Sequence, residues 1–446
     1  MLHEPVAVDG LSELYNHFDP LAPAHPDQYL DCSDVRGGKA LLRRCRRELL
    51  QAKGYRQFLF SGHIGGGKSS ELIQLAAVLA ESVPRRVAAF VLDLSKYLEP
   101  YDTSVTEIYL SVVTELADQL LQQHQIDLGG NFFRKRGTEL KEILFAEVTP
   151  SAELNLGFFK LALGQLKGTP EARKLVRERL AQQIGNLRSE VNQVFTQARA
   201  ALQQRGFDDL FLILDNLDKV RRFSDRDEGD ASYRALFLEN ASNFQQLEVH
   251  LLLTVPLTLV RAHGPQLEQS YGSSTFVLPM VKVRDRNGHP YEKGRQRLRE
   301  LVQKRLKGKP LGDVFASEAL EWIINYSGGD LRTLVRLVRS SSLEQDQLPI
   351  TLNSARTATG QISSTLASAI RHQWWAVLVQ LERRGEVELH NRATQELMEQ
   401  LAILEYVNGD DAEDPFDTQV PWYAVHPIVR ELKAFKQALA ASSAIG

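Results

Sequence analysis

The chain has 446 residues, 43% hydrophobic and 24% charged, with 53 basic against 56 acidic side chains and so a formal net charge of −3; this is the make-up of ordinary globular protein, long enough for two or three compact domains. So even a balance excludes whole-chain electrostatics as a guide to partners and leaves only local patches for nucleic acid. Two cysteines, Cys32 and Cys45, exclude a disulfide framework and cannot alone complete a four-ligand zinc site, which favours a reducing interior.

The N-terminal stretch MLHEPVAVDGLSELYNHFDP lacks the basic start and unbroken apolar run of a signal peptide, so the cytoplasm is the expected location. Apolar, strand-like runs recur at 57–60, 86–94, 210–214, 250–255 and 276–283, with helix-period segments between them. Strands alternating with helices predict an α/β fold with a parallel sheet covered on both faces. None of the apolar runs approaches the roughly 20 residues that cross a bilayer, and no membrane partner is expected.

After the first strand, Leu72, Leu75, Ala76, Leu79 and Ala80 lie on one face of a helix. A second helix opens with a capping box, Ser104 with Glu107, and buries Val105, Ile108, Tyr109, Val112 and Leu116. Residues 128–206 are far longer than a usual α/β connection and read as an insertion. Within it, Leu154, Leu156 and Phe158 alternate and Phe159, Leu161 and Leu163 alternate in the opposite phase, which predicts a hairpin or bulged strand pair. From Thr169-Pro170 onward, Leu180, Ile184, Leu187, Val191, Val194 and Ala198 predict one long helix with a narrow apolar seam, packed against its own domain. Past the fifth strand, a basic helical stretch over 282–309 and helices at 317–325 and 330–340 suggest a small helical lid. From about residue 361, two helices and the strand-like AILEYVNG and VPWYAVH around an acidic loop suggest a winged helix. The expected division is an N-terminal segment, 1–50; a nucleotide-binding core, 51–285, with the insertion at about 128–206; a helical lid, 286–355; and a winged-helix domain, 360–446.

The strongest chemical signal is Gly62-His63-Ile64-Gly65-Gly66-Gly67-Lys68-Ser69-Ser70, between the strand QFLF and the helix SELIQLAAVLA. Strand, glycine loop and helix are the setting of a phosphate-binding loop. Glycines let successive backbone N–H groups turn onto phosphate oxygens at a helix N-terminus, Lys68 reaches the β- and γ-phosphates, and Ser69 is placed to ligate magnesium. The strand LFLILD then ends in Asp215-Asn216-Leu217-Asp218. A carboxylate at the C-terminal edge of a parallel sheet makes Asp215 the metal-side acid. Asp218, one short turn later, is placed to orient or deprotonate an attacking water, with Asn216 as the polar alternative. ATP or ADP with Mg2+ is therefore the expected ligand.

Together the two motifs resemble the AAA+ and STAND signal-transduction ATPases, especially the NACHT-like and KAP-like branches, over most of the chain after about Tyr29. That resemblance implies a P-loop NTPase sheet and a polar sensor at the fourth strand's end, where LLLTVP puts Thr254. It also implies a lid arginine that meets the γ-phosphate, for which Gly328-Gly329-Asp330-Leu331-Arg332 offers Arg332. The segment YAVHPIVREL is similar to the histidine motif of NB-ARC-type STAND proteins, in which the histidine meets the β-phosphate of ADP; here that is His426, followed by Pro427 where the family has aspartate. The chain departs from both parents. The catalytic glutamate of AAA+ proteins is replaced by Asn216, Arg261 is only a guess at an arginine finger, and the membrane segments, sensor repeats and fused effectors of related chains have no counterpart.

These features imply an ATPase without fast, ring-type turnover that works as a cytoplasmic molecular switch: a homo-oligomer acting with a separate effector or sensor protein, in bacterial antiviral defence. The alternative is a DNA-associated ATPase similar to replication initiators or transposition regulators. It draws on the row Lys282, Arg284, Arg286, Lys293, Arg295, Arg297, Arg299, Lys304, Arg305, Lys307 and Lys309, which could neutralise phosphates. Against it stands the acidic run Asp410, Asp411, Glu413 and Asp414 in the expected wing.

Overall fold

Five strands build one sheet: β1 (Gln57–Gly62), β2 (Val87–Asp93), β3 (Asp209–Asp215), β4 (His250–Thr254) and β5 (Thr275–Leu278), in the order β2-β3-β4-β1-β5. The neighbours β2/β3, β3/β4 and β4/β1 run parallel. The computed structural model describes residues 8–37, 41–144, 153–220, 231–273, 275–409 and 418–443. It divides into two compact units, Leu42–Ser61 with Leu72–Phe276, and Met1–Leu41 with Gly62–Glu71 and Val277–Gly446. In this division residues 62–71 of the glycine loop group with the N-terminal segment and the C-terminal half of the chain.

In the sheet-bearing unit, Phe58, Phe60, Leu210 to Leu214 and Leu251 to Leu253 are all fully buried, as expected of parallel strands covered on both faces. The helix Val105–His124 opens with the predicted capping box, the Ser104 N–H donating to Glu107 Oε2 at 2.8 Å. Register places Asp93 opposite Asp215 at the C-terminal ends of β2 and β3.

The insertion is helical throughout its described part: Gly130–Leu144, Leu156–Gly168, Pro170–Ala181 and Ile184–Gln203. This corrects two expectations. The hairpin is the helix Leu156–Gly168, capped by Asn155, whose side chain accepts from Phe158 N. Its apolar run fits both periods, and helical spacing prevails: Phe159, Ala162, Leu163 and Leu166 are buried, whereas Leu161 is 58% exposed. The single long helix is two, separated at Gln183, whose φ/ψ of −118°/20° is not helical. The break lets the helix Pro170–Ala181 bring Arg177 onto Asp102 and Glu107 at the cap of Val105–His124.

The other unit is mostly helical. Glu292–Arg305, Ser317–Ser327, Leu331–Ser342 and Leu352–Ala369 share a core with the N-terminal helix Val8–His17 and the segment around Val35. The two helices Trp375–Arg384 and Arg392–Glu399 then lead to an antiparallel hairpin of β6 (Ile403–Val407) and β7 (Pro421–Val425). The acidic run Asp410 to Asp414 lies outside the described residues. No helix among the described residues is long and apolar enough to cross a membrane.

The basic row of residues 282–309 is largely engaged within this unit. Arg295 and Arg299 pair with Glu321, Arg297 with Asp34 and Lys309 with Glu13. Lys282, Lys304 and Arg305 donate to the backbone carbonyls of Asn408, Tyr29 and His17. Its charges serve to fasten the helix Glu292–Arg305 to the N-terminal segment and to the helix Ser317–Ser327.

Candidate nucleotide-binding site

The glycine loop leaves β1 and runs straight into the N-terminus of the helix Lys68–Ala80. Gly65 and Gly67 have φ of +91° and +96°, left-handed values that only glycine adopts without strain. A Cβ at Gly65 would lie 2.8 Å from both Arg332 Cβ and Asp330 Oδ1, so the tight approach of Leu331–Ser342 requires glycine as well. Lys68, 7% exposed, folds its ammonium back to donate to the carbonyls of Gly62 and His63 at 2.8 and 2.9 Å. Curled glycine backbone, a helix N-terminus and a lysine held over the loop are the parts a phosphate chain needs, and these residues fit a nucleotide. Ser69 stands at the second helical position, half-buried, and Ser70 Oγ accepts from Ala24 N at 2.9 Å.

Two C-terminal elements grip this loop. The Arg332 backbone N–H donates to Gly65 O at 3.2 Å, while Asp330 caps its helix by accepting from Arg332 N and Thr333 N. The sequence singled out Arg332 as a lid arginine, and the structure brings it to the loop; its Nε donates to Pro20 O at 3.1 Å. His63, 3% exposed, accepts the backbone N–H of Glu405 on β6 at its Nε2, 2.9 Å away. The carbonyl of the same residue, in the next peptide, is held too, because Met280 N donates to Glu405 O. The assigned acceptor role requires a neutral His63 with its Nε2 unprotonated.

The strand-end acids form a network of their own. Asp215 and Asp218 are buried, 4% and 5% exposed. Asp215 Oδ1 accepts the N–H of Asn216 at 2.8 Å. Asn216 sits at φ +66°, a left-handed position that asparagine tolerates better than most residues. Its side-chain amide donates to Asp93 Oδ1 at 2.7 Å. Burial alone would raise the Asp93 carboxyl, but hydrogen bonds from Ser95 and Asn216 hold it below the usual carboxylate range. Thr254 is fully buried; its hydroxyl accepts from Leu217 N at 3.0 Å and donates to Leu214 O at 3.2 Å. Thr254 thus ties the end of β4 to the turn that carries the acids, and Asn216 spends its amide on Asp93. Arg261 is half-buried on the helix Leu257–Tyr271.

His426 is 1% exposed at the end of β7. Its Nδ1 accepts from Ile428 N at 3.1 Å, capping the short helix Pro427–Glu431, and its own N–H donates to Ala402 O. Burial pushes its pKa down to about 3, which leaves a neutral ring with the proton on Nε2. The native state therefore binds fewer protons than the unfolded chain: stability from this group is present above the unfolded value near 6.5 and is lost as pH falls toward 3. His426→Asn keeps an acceptor for the cap but cannot titrate. We expect it to flatten the loss of stability between about pH 6 and 4 by up to about 1.4 kcal/mol per pH unit, read by chemical denaturation across that range. Superimposable pH profiles of mutant and wild type would show that His426 is not buried and neutral.

Two residues at these sites escaped the sequence reading. Asp93 ends β2 opposite Asp215, a pairing set by strand register. Arg36 lies 26 residues before the loop's Gly62, yet its Nη1 donates to Gly66 O at 2.7 Å. The only local sign of it was an arginine before a glycine pair, which looks like a surface turn.

No protein-family model matches the sequence, and no curated protein does. Among solved structures, the chain is similar to Cdc6p from Pyrobaculum aerophilum at 12% identity and a TM-score of 0.35, with 96% of this chain and 98% of that chain covered; a superposition this loose carries no role across.

Proposed function

We propose that this chain is an ATP-dependent molecular switch of the AAA+/STAND kind, in which the nucleotide on the loop Gly62 to Ser70 controls assembly with further copies or with a separate effector protein. The observation that supports it best is the double grip on the loop. Gly65 O is held by the Arg332 backbone and His63 by the Glu405 backbone, so a loop that rearranges around phosphates must disturb both contacts. A ligand shifts a conformational equilibrium only by its differential affinity for the two states, and ATP and ADP differ in the phosphate that Lys68 reaches.

In this reading Lys68 leaves the Gly62 and His63 carbonyls for the phosphates, and Ser69 and Asp215 are the metal-side residues. Magnesium, when bound, neutralises phosphate charge. Asp218 is the residue proposed to orient the attacking water, and Thr254 and Asn216 keep the acid-bearing turn in place. With Asn216 instead of a glutamate, hydrolysis is slow, which suits a timer better than a motor. His426 is proposed to favour an ADP-bound closed form, and bacterial antiviral defence is the proposed setting. The DNA-associated alternative shares this architecture but would have to draw its phosphate contacts from cations other than those already engaged in the 282–309 row.

The deciding experiment is size-exclusion chromatography with light scattering on the full chain with Mg-ATP, Mg-ADP and neither, for wild type and His63→Ala. A nucleotide-dependent change of mass or radius is expected in wild type, with the His63→Ala protein shifted toward the ATP-bound form even without nucleotide. One unchanged species under all conditions would remove the switch and leave a simple nucleotide-binding protein.

A further inference from the structure

Arg36 is a buried cation that spends only part of its guanidinium. It is 3% exposed and follows the short helical turn Ser33–Val35. One guanidinium nitrogen, Nη1, donates to Gly66 O at 2.7 Å and to Pro279 O at 3.3 Å, which fixes the plane of the group. Its Nε is buried and has no hydrogen-bond partner among the described residues. Its Nη2 stands beside the glycine loop: a Cβ built on Gly67 would lie 3.4 Å from it. The charge is felt by Glu71, but that carboxylate accepts from Tyr29 Oη and forms no ion pair with Arg36.

Nε and Nη2 together form the side-on edge of a guanidinium, two parallel N–H donors that match two oxygens of one phosphate. A buried cation with that edge unused is costly unless an anion compensates it. The edge lies at Gly67, one residue before the N-terminus of the helix Lys68–Ala80, where backbone N–H groups and the helix dipole favour negative charge.

We propose that Arg36 is a second phosphate-binding cation of this loop: its Nε/Nη2 edge takes two oxygens of the phosphate chain of a nucleoside di- or triphosphate, while Nη1 keeps its hold on Gly66 and Pro279. The proposal rests on the nucleotide reading of the loop and adds to it a residue from outside the motif. It also gives the N-terminal segment a direct stake in the bound anion, because Arg36 joins that segment, the loop and the chain after β5 at one guanidinium.

Calorimetric titration of the full chain with Mg-ATP and with inorganic pyrophosphate tests this, using wild type, Arg36→Lys, Arg36→Ala and Lys68→Ala, each with a thermal melt of the ligand-free protein. Lysine keeps the charge and can hold a carbonyl, but it lacks the two-donor edge. Arg36→Lys is therefore expected to raise the Kd of both ligands about tenfold or more while melting like wild type, and Arg36→Ala to raise it further. A purely structural arginine would instead lower the melting temperature and leave the Kd of Arg36→Lys within about twofold of wild type, since charge-assisted contacts are worth more than that; this result overturns the proposal. Should Arg36→Ala fail to fold, Arg36→Lys alone decides. Wild-type protein that binds neither ligand, or Lys68→Ala that binds both normally, refutes the nucleotide reading and this proposal with it, a pattern distinct from normal binding by the Arg36 variants alone.

Discussion

Lys68→Ala is expected to abolish measurable ATP and ADP binding. The lysine supplies the cation that the loop motif itself directs at the phosphates, and charge-assisted hydrogen bonds to two phosphates are worth about 3 kcal/mol or more, roughly a hundredfold in Kd. The mutation has a second, smaller effect. The ammonium now satisfies the carbonyls of Gly62 and His63, and removing it leaves both without that donor, a cost of about 1–3 kcal/mol in stability. The two effects separate by method: titration reports the first and a melt of the ligand-free protein the second. A mutant that melts a few degrees lower and still binds ATP like wild type would show that Lys68 is a loop staple and that the phosphates are held elsewhere.

Asp215→Ala and Asp215→Asn are expected to spare nucleotide binding to within a few-fold while lowering Mg-dependent hydrolysis on the order of 10²- to 10³-fold. The pair matters because Asp215 also has a structural duty, accepting the Asn216 N–H at 2.8 Å. Asparagine keeps an oxygen for that N–H but loses the charge a cation requires. If the carboxylate acts on magnesium, both variants lose turnover together. Near-normal hydrolysis by Asp215→Asn, with only the alanine variant impaired, would reduce Asp215 to a residue that shapes the turn.

What could be read along the chain was whatever depends on neighbours in sequence. Four of the five sheet strands match their apolar runs closely, and the fifth is shorter, Thr275–Leu278 against the expected 276–283, because the segment beyond Leu278 leaves the sheet: Met280 pairs with Glu405 and Lys282 with Val35. The Ser104–Glu107 box was legible because a capping box is closed within four residues. The helix Leu156–Gly168 was not, because its apolar residues satisfy two periods at once; only the packing that buries Phe159 and Leu163 and exposes Leu161 chooses between them. The break at Gln183 is likewise seen only in the fold, where the helix before it pairs Arg177 with Asp102.

The division is sharpest at the candidate site. By itself the sequence determined the phosphate loop and the acids at the end of β3 as candidates, since glycine spacing, a cation beside it and a strand ending in carboxylates are local chemistry, while the GGDLR turn came in only through a family resemblance. Only the tertiary structure decided how those parts are held. Arg36 reaches Pro279 across 243 residues and His63 reaches Glu405 across 342, while the basic row finds its carboxylates on other helices. Hydrogen bonds and ion pairs are short-ranged, so which donor meets which acceptor is set by chain segments brought together in folding. A linear pattern shows that an arginine or histidine is present, and the fold alone shows whether its nitrogens are spent or still free for a phosphate.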